Sequence, residues 1–121
     1  MPDDKPQLRL AAVADIHCTK KSADSMRSLL SAMAHEADIL LLGGDLCDAG
    51  LPEEAEILAR EITILKVPVV AVLGNHDFEA GKASEIVEIL SNAGVNVLDG
   101  KSCEIYDIGF AGVKRLRRRI Q

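Results

Sequence analysis

Three times along this chain an apolar run ends in carboxylates, imidazole or amide side chains and then gives way to a stretch of helical period. The runs lie at 8–14, broken early by Arg9, at 39–42 and at 67–73. They end in Asp15-Ile16-His17, in Gly44-Asp45-Leu46-Cys47-Asp48 and in Gly74-Asn75-His76-Asp77. A continuous apolar run too short for a helix reads as a strand buried on both faces. After the first, Met26, Leu29, Leu30 and Met33 recur at i, i+3, i+4 and i+7, which predicts a helix from about residue 22. After the second, Pro52 suits a first helical turn, Glu53 and Glu54 complement its dipole, and Ala55, Leu58, Ala59 and Ile62 keep an apolar stripe. After the third, Ala83, Ile86, Val87 and Leu90 mark a helix from about residue 82, with Gly94 placed to stop it. Runs at 95–98 and 104–111 read as two further strands joined by a turn at Asp99-Gly100. This β-α-β-α-β-α-β order predicts an α/β fold with a largely parallel sheet and right-handed crossovers.

Composition narrows the function classes. The chain has 121 residues, one domain at most, with 48% apolar and 27% charged residues. Aromatics are only 2%, so the core must be aliphatic. The net charge of −5 is unevenly spread: five of the 14 basic residues (Lys114, Arg115, Arg117, Arg118 and Arg119) fall in the last eight positions. The rest of the chain holds nine against 19 acids, which disfavours a broad nucleic-acid surface, since such a surface displaces counterions with a basic face. Cys18, Cys47 and Cys103 have no paired spacing and read as small buried fillers in a reducing compartment. No stretch reaches the roughly 18 apolar residues that span a bilayer. Residues 1–5 are polar and acidic, unlike a secretory leader, so a cytoplasmic protein without membrane contact is expected.

In an open α/β sheet the carboxyl ends of neighbouring parallel strands meet at one edge, where ligands bind. The three polar turns therefore converge, and Gly43, Gly44 and Gly74 let the backbone turn sharply there. Crowding Asp15, Asp45, Asp48 and Asp77 around one cleft would be costly without cations. Carboxylates, an amide and imidazole, with no thiolate pair, suit Mn, Fe or Zn at five or six ligands. Two such ions roughly 3.5–4 Å apart stabilise both attacking and leaving oxygens at phosphorus. Each residue alone has a plainer use: an aspartate after a strand caps a helix, Asn75 forms turns, a lone His17 sits at the surface. Those plainer uses would have to coincide three times at one sheet edge. For Cys18 and Cys47 packing outweighs ligation, and His35 reads as a surface residue.

D-I-H at 15–17, G-D-L-C-D at 44–48 and G-N-H-D at 74–77 resemble, in order, the first three motifs of the calcineurin-like metallophosphoesterases: D-x-H, G-D-x-x-D and G-N-H-D/E. The likeness is strongest over residues 8–80 and continues to about 112. It implies a metallophosphoesterase-type β-sandwich with flanking helices, of which this chain carries the N-terminal βαβαβ half. It implies hydrolysis of a small phosphomonoester or phosphodiester by a hydroxide bridging two divalent ions (Mn, Fe or Zn). Carried over by position, Asp15 and His17 would ligate the first ion, Asp45 would bridge both, and Asn75 would hold the second. His76 would protonate the leaving group from outside the metal shell, with Asp48 hydrogen-bonded to it. Serine/threonine protein phosphatases follow G-D-x-x-D with Arg-Gly and carry G-N-H-E. Here Asp48 precedes Ala49-Gly50 and the third motif ends in Asp77, which disfavours that branch.

The same resemblance implies later imidazoles, a lone His and a G-H-x-H, yet no histidine follows His76. Residues 1–113 thus read as the N-terminal part of a phosphoesterase domain, and 114–121 as a basic tail. The plain reading of that tail is a solvated end. A better fit is a shifted reading frame: some members continue a segment like 109–114 with a G-F-A-G-G-F loop. Suitably chosen codons for that loop, read one frame over, encode the Leu-Arg-Arg-Arg-Ile found at 116–120. The rivals to a phosphoesterase are a non-catalytic remnant binding one metal or none, and a nuclease of the same superfamily.

Overall fold

Residues 7–113 are described by the computed structural model of the chain. The three apolar runs form the strands β1 (Leu10–Val13), β2 (Ile39–Gly43) and β3 (Val69–Val72), and a fourth, β4 (Val95–Val97), joins them. All four pair in parallel in the order β1-β2-β3-β4. Register sets Val13 against Leu42 and Gly43 against Val72, so the first three strands end almost level. The connections contain the helices α1 (Ala23–Glu36), α2 (Pro52–Thr63) and α3 (Ala83–Asn92). The fold is α/β, as the alternation of periods requires.

The two faces of the sheet follow from the two-residue period of its strands. Leu40, Leu42, Val69, Ala71, Val95 and Val97 share one cluster with Leu30 of α1, Leu58 of α2 and Leu90 of α3. On the opposite face, Ile39, Val70 and Leu98 meet Cys103, Ile105 and Phe110. Those last three belong to a hairpin of β5 (Ser102–Ile105) and β6 (Ile108–Ala111), paired antiparallel. Here the structure corrects the sequence reading. Residues 104–111 do not form one strand, because Tyr106 and Asp107 take positive φ values of 51° and 65° and reverse the chain.

Local chemistry sets the helix ends. Pro52 opens α2. Glu54 Oε1 there accepts the amides of Ala49 (2.9 Å) and Leu51 (3.0 Å), satisfying donors the helix cannot. Helix α3 stops at Ala93, and Gly94, at φ 92°, takes the left-handed conformation that follows a helix end. Arg27 of α1 meets the buried Glu61 of α2 through Nε at 2.9 Å and Nη2 at 3.4 Å, which ties the two helices together. Among the described residues no helix is long and apolar enough to cross a membrane. The basic run at 114–121 lies outside the described residues.

Candidate metal centre

Because β1, β2 and β3 end level, the segments that follow them lie side by side, and those after β1 and β2 continue to pair. The amide of Asp15 donates to Gly44 O (3.0 Å), that of His17 to Asp45 O (2.9 Å) and that of Cys18 to Leu46 O (2.8 Å). Asp48 N returns a hydrogen bond to Cys18 O at 3.0 Å. Asp15, His17 and Asp45 each hold the left-handed conformation, at φ 57°, 49° and 49°. Such angles are uncommon for residues with a Cβ, and aspartate and histidine tolerate them better than most. Three of them on two adjacent loops is strain concentrated at one place, as ligand sites commonly show.

Donor atoms of His17, Asp45 and His76 all lie within 4.8 Å of one another. The two imidazoles meet edge to face, with centroids 4.4 Å apart. Asp45 Oδ1 accepts the amide of His76 at 2.9 Å. That hydrogen bond chiefly holds the Asp45 carboxyl below the usual range. Burial opposes it, while the Asp15 carboxyl hydrogen-bonded beside it and the two imidazoles add to it. Asp45 is therefore ionised at neutral pH.

His76 Nδ1 lies 2.6 Å from the carbonyl oxygen of Asp48. A carbonyl only accepts, so Nδ1 carries the proton and Nε2 is left as the reactive nitrogen. The Asp48 carbonyl chiefly raises the His76 pKa above its ordinary value; desolvation works against it, and Glu79, Asp45 and Asp48 contribute. The side chain of Asp48 turns elsewhere: its Oδ1 sits 3.3 Å from His17 Nδ1. The hydrogen bond expected between the Asp48 carboxylate and His76 is not made; the Asp48 carbonyl meets His76, and the carboxylate lies against His17. A carboxylate on the far nitrogen of an imidazole is the usual support for a metal-ligating histidine.

Asn75 is exposed at the start of a single 3-10 turn, Asn75–Phe78, which also carries His76. Asp77 departs from the sequence reading. Its side chain does not line the cleft but is completely buried beneath the loops. Its position three residues after Gly74, where an acid caps the turn that follows, was the available signal. Cys18 and Cys47 are buried, with burial pushing the Cys18 thiol up to about 11 and the Cys47 thiol higher still. Neither is a thiolate ready for ligation. His35 is exposed at the last turn of α1.

Among the described residues no lysine or arginine pairs with Asp15, Asp45 or Asp48. Two carboxyl groups and two imidazoles gathered without a basic side chain to balance them suit a divalent cation.

Residues 8–112 match the family described as calcineurin-like phosphoesterase. An uncharacterised protein of Bacillus subtilis strain 168, YpbG, is 30% identical over 118 residues, covering 93% of this chain and 44% of that protein. A 3',5'-cyclic-nucleotide phosphodiesterase, alr5338, of Nostoc sp. strain PCC 7120 is 28% identical over 87 residues, covering 62% of this chain and 33% of that protein. The chain thus spans less than half the length of these curated relatives.

Proposed function

The chain belongs to the calcineurin-like phosphoesterases, and from that premise we infer that its sheet edge binds divalent cations for the hydrolysis of a small phosphoester. The observation that carries this reading is the convergence of His17, Asp45 and His76 within 4.8 Å, beside Asp15, in a cluster without a balancing lysine or arginine. Asp15, His17, Asp45 and Asn75 are the residues proposed to hold the ions, which are Mn, Fe or Zn. Bound ions would supply a nucleophile from water and neutralise charge developing at phosphorus.

The chain's own residues do the rest. The Asp48 carboxylate, 3.3 Å from His17 Nδ1, would steady the His17 ring for an ion taken by its other nitrogen. The Asp48 carbonyl holds the His76 ring through Nδ1, and the raised pKa favours the protonated ring that would donate from Nε2 to a leaving oxygen. Asp45, anchored by the His76 amide, is the carboxylate best placed to be shared between ions. Nucleic acid is a poor substrate for so acidic a body, and a small phosphoester is the better one.

One observation favours a second reading. The three clustered donors include His76 itself, and three donors around one point fit a single ion with no turnover. The two readings separate on two variants of the 121-residue chain, with Mn²⁺ content measured beside hydrolysis of bis-p-nitrophenyl phosphate. If His76 is the proton donor, Asp45→Asn loses metal while His76→Ala keeps it. Equal metal loss in both variants makes His76 a ligand and leaves the single-ion reading. Turnover by the 121-residue chain is expected to be weak, because four proposed ligands cannot fill two shells of about five or six.

A further inference from the structure

The second and third ligand loops are fastened to each other by carboxylates, one given by each loop. Asp45 of the second loop accepts the His76 amide of the third. Asp77 of the third loop accepts three amides: Cys47 on Oδ1 at 2.8 Å, and Leu46 at 3.2 Å and Gly74 at 2.8 Å on Oδ2. Asp45 faces the cleft and has metal chemistry assigned to it, whereas Asp77 is fully buried. Both oxygens of Asp77 are already engaged by N–H donors.

We propose that Asp77 is a positioning residue of the metal site, which sets Asp45 and His76 in register without touching an ion. This rests on reading the sheet edge as a metal centre. Two of its three donors, Leu46 and Cys47, directly follow Asp45, and the third, Gly74, lies two residues before His76. Three converging N–H groups need a group that only accepts, and an aspartate carboxylate is the shortest side chain with two such oxygens. Asparagine at 77 would turn an NH₂ donor towards amide donors and release at least one loop. Close packing makes the arrangement unforgiving: a Cβ at Gly74 would overlap the amide nitrogen and carboxylate of Asp45. A Cβ at Gly44 would press on the backbone of Gly74 at 3.3 Å. Loops in contact along their backbones cannot absorb a shift at Asp77 without moving the donors they carry.

The test is Mn²⁺ titration of the purified 121-residue chain, with free Mn²⁺ followed by electron paramagnetic resonance. The control is Leu90→Ala, a core truncation in α3. Asp77→Asn, folded by far-ultraviolet circular dichroism, is expected to bind Mn²⁺ about 10–100-fold more weakly than the parent chain. Its Co²⁺-saturated form is expected to show a changed d–d absorption spectrum. Leu90→Ala is expected to melt lower but keep the parent affinity and spectrum. If Asp77→Asn does not fold, Asp77→Glu replaces it: the extra methylene spreads the loops, so weakened uptake in a folded protein supports the assignment. Parent-like Mn²⁺ affinity and Co²⁺ spectrum in a folded Asp77 variant overturn it, as does an equal loss of affinity in Leu90→Ala. A parent chain that takes up no Mn²⁺ at all fails the metal reading itself, and the positioning role falls with it.

Discussion

At the scale of single residues, the site depends on backbone conformations that most side chains avoid. Gly74 has no room for a methyl group beside Asp45, so Gly74→Ala is expected to cost about 1–3 kcal/mol, seen in urea unfolding, and to weaken Mn²⁺ binding. Gly81 is the contrast. It has φ 68° but nothing within 4 Å of its missing Cβ, so Gly81→Ala should cost about 1 kcal/mol and leave Mn²⁺ binding unchanged. Titration offers a second handle on His76. Its pKa is raised chiefly by the Asp48 carbonyl, with Glu79 contributing from 3.7 Å. A raised folded pKa stabilises the protein fully below the unfolded value, and the gain is lost as pH rises through the folded one. In the metal-free chain, imidazole NMR should therefore give His76 a midpoint above the ordinary histidine range. Glu79→Gln should lower that midpoint without returning it fully, since the carbonyl remains. Much of this was legible beforehand. Asp15, His17, Asp45 and His76 announced themselves as polar residues ending apolar runs. Asp77 did not, because an aspartate that caps a turn and one that lines a cleft look alike until its three amide donors are seen.

At the scale of elements, helices and parallel strands were easy to read because their periods differ and their runs are long enough to count. The hairpin was not. An antiparallel pair is announced by its turn, and Tyr106-Asp107 lacks the Asn-Gly or Asp-Gly signature that two positive φ values normally demand. The sequence therefore ran two strands into one. The same mismatch yields an expected outcome: Tyr106→Asn with Asp107→Gly should raise the melting temperature, by relieving left-handed strain of about 1–2 kcal/mol per residue. Between helices, the Arg27–Glu61 pair joins an exposed guanidinium to a carboxylate only 2% exposed. Arg27→Ala leaves that carboxylate unpaired and is expected to cost about 1–3 kcal/mol in urea unfolding. Adding Glu61→Ala should recover part of the loss.

At the scale of the whole molecule, the sheet is dressed unequally. Helices cover one face; on the other the hairpin covers the middle and leaves Leu10, Ala12 and Ala14 of the β1 segment exposed. A cavity of about 500 Å³ opens there, lined by uncharged residues that include Val72, Leu98 and Phe110. An exposed apolar face of this kind should bind an apolar dye such as ANS in the native protein, and Ala12→Asp should abolish the fluorescence gain. The strand order has a consequence for motion. Among the described residues β1 pairs with β2 alone, and β1 leads into Asp15 and His17. Local opening starts where neighbours are fewest. Amide hydrogen exchange should therefore release β1 at lower free energy than β2 or β3, detaching Asp15 and His17 while Asp45, Asp77 and His76 stay clasped. An ion held from both sides would slow that exchange, and its escape rate would follow the breathing of a single edge strand.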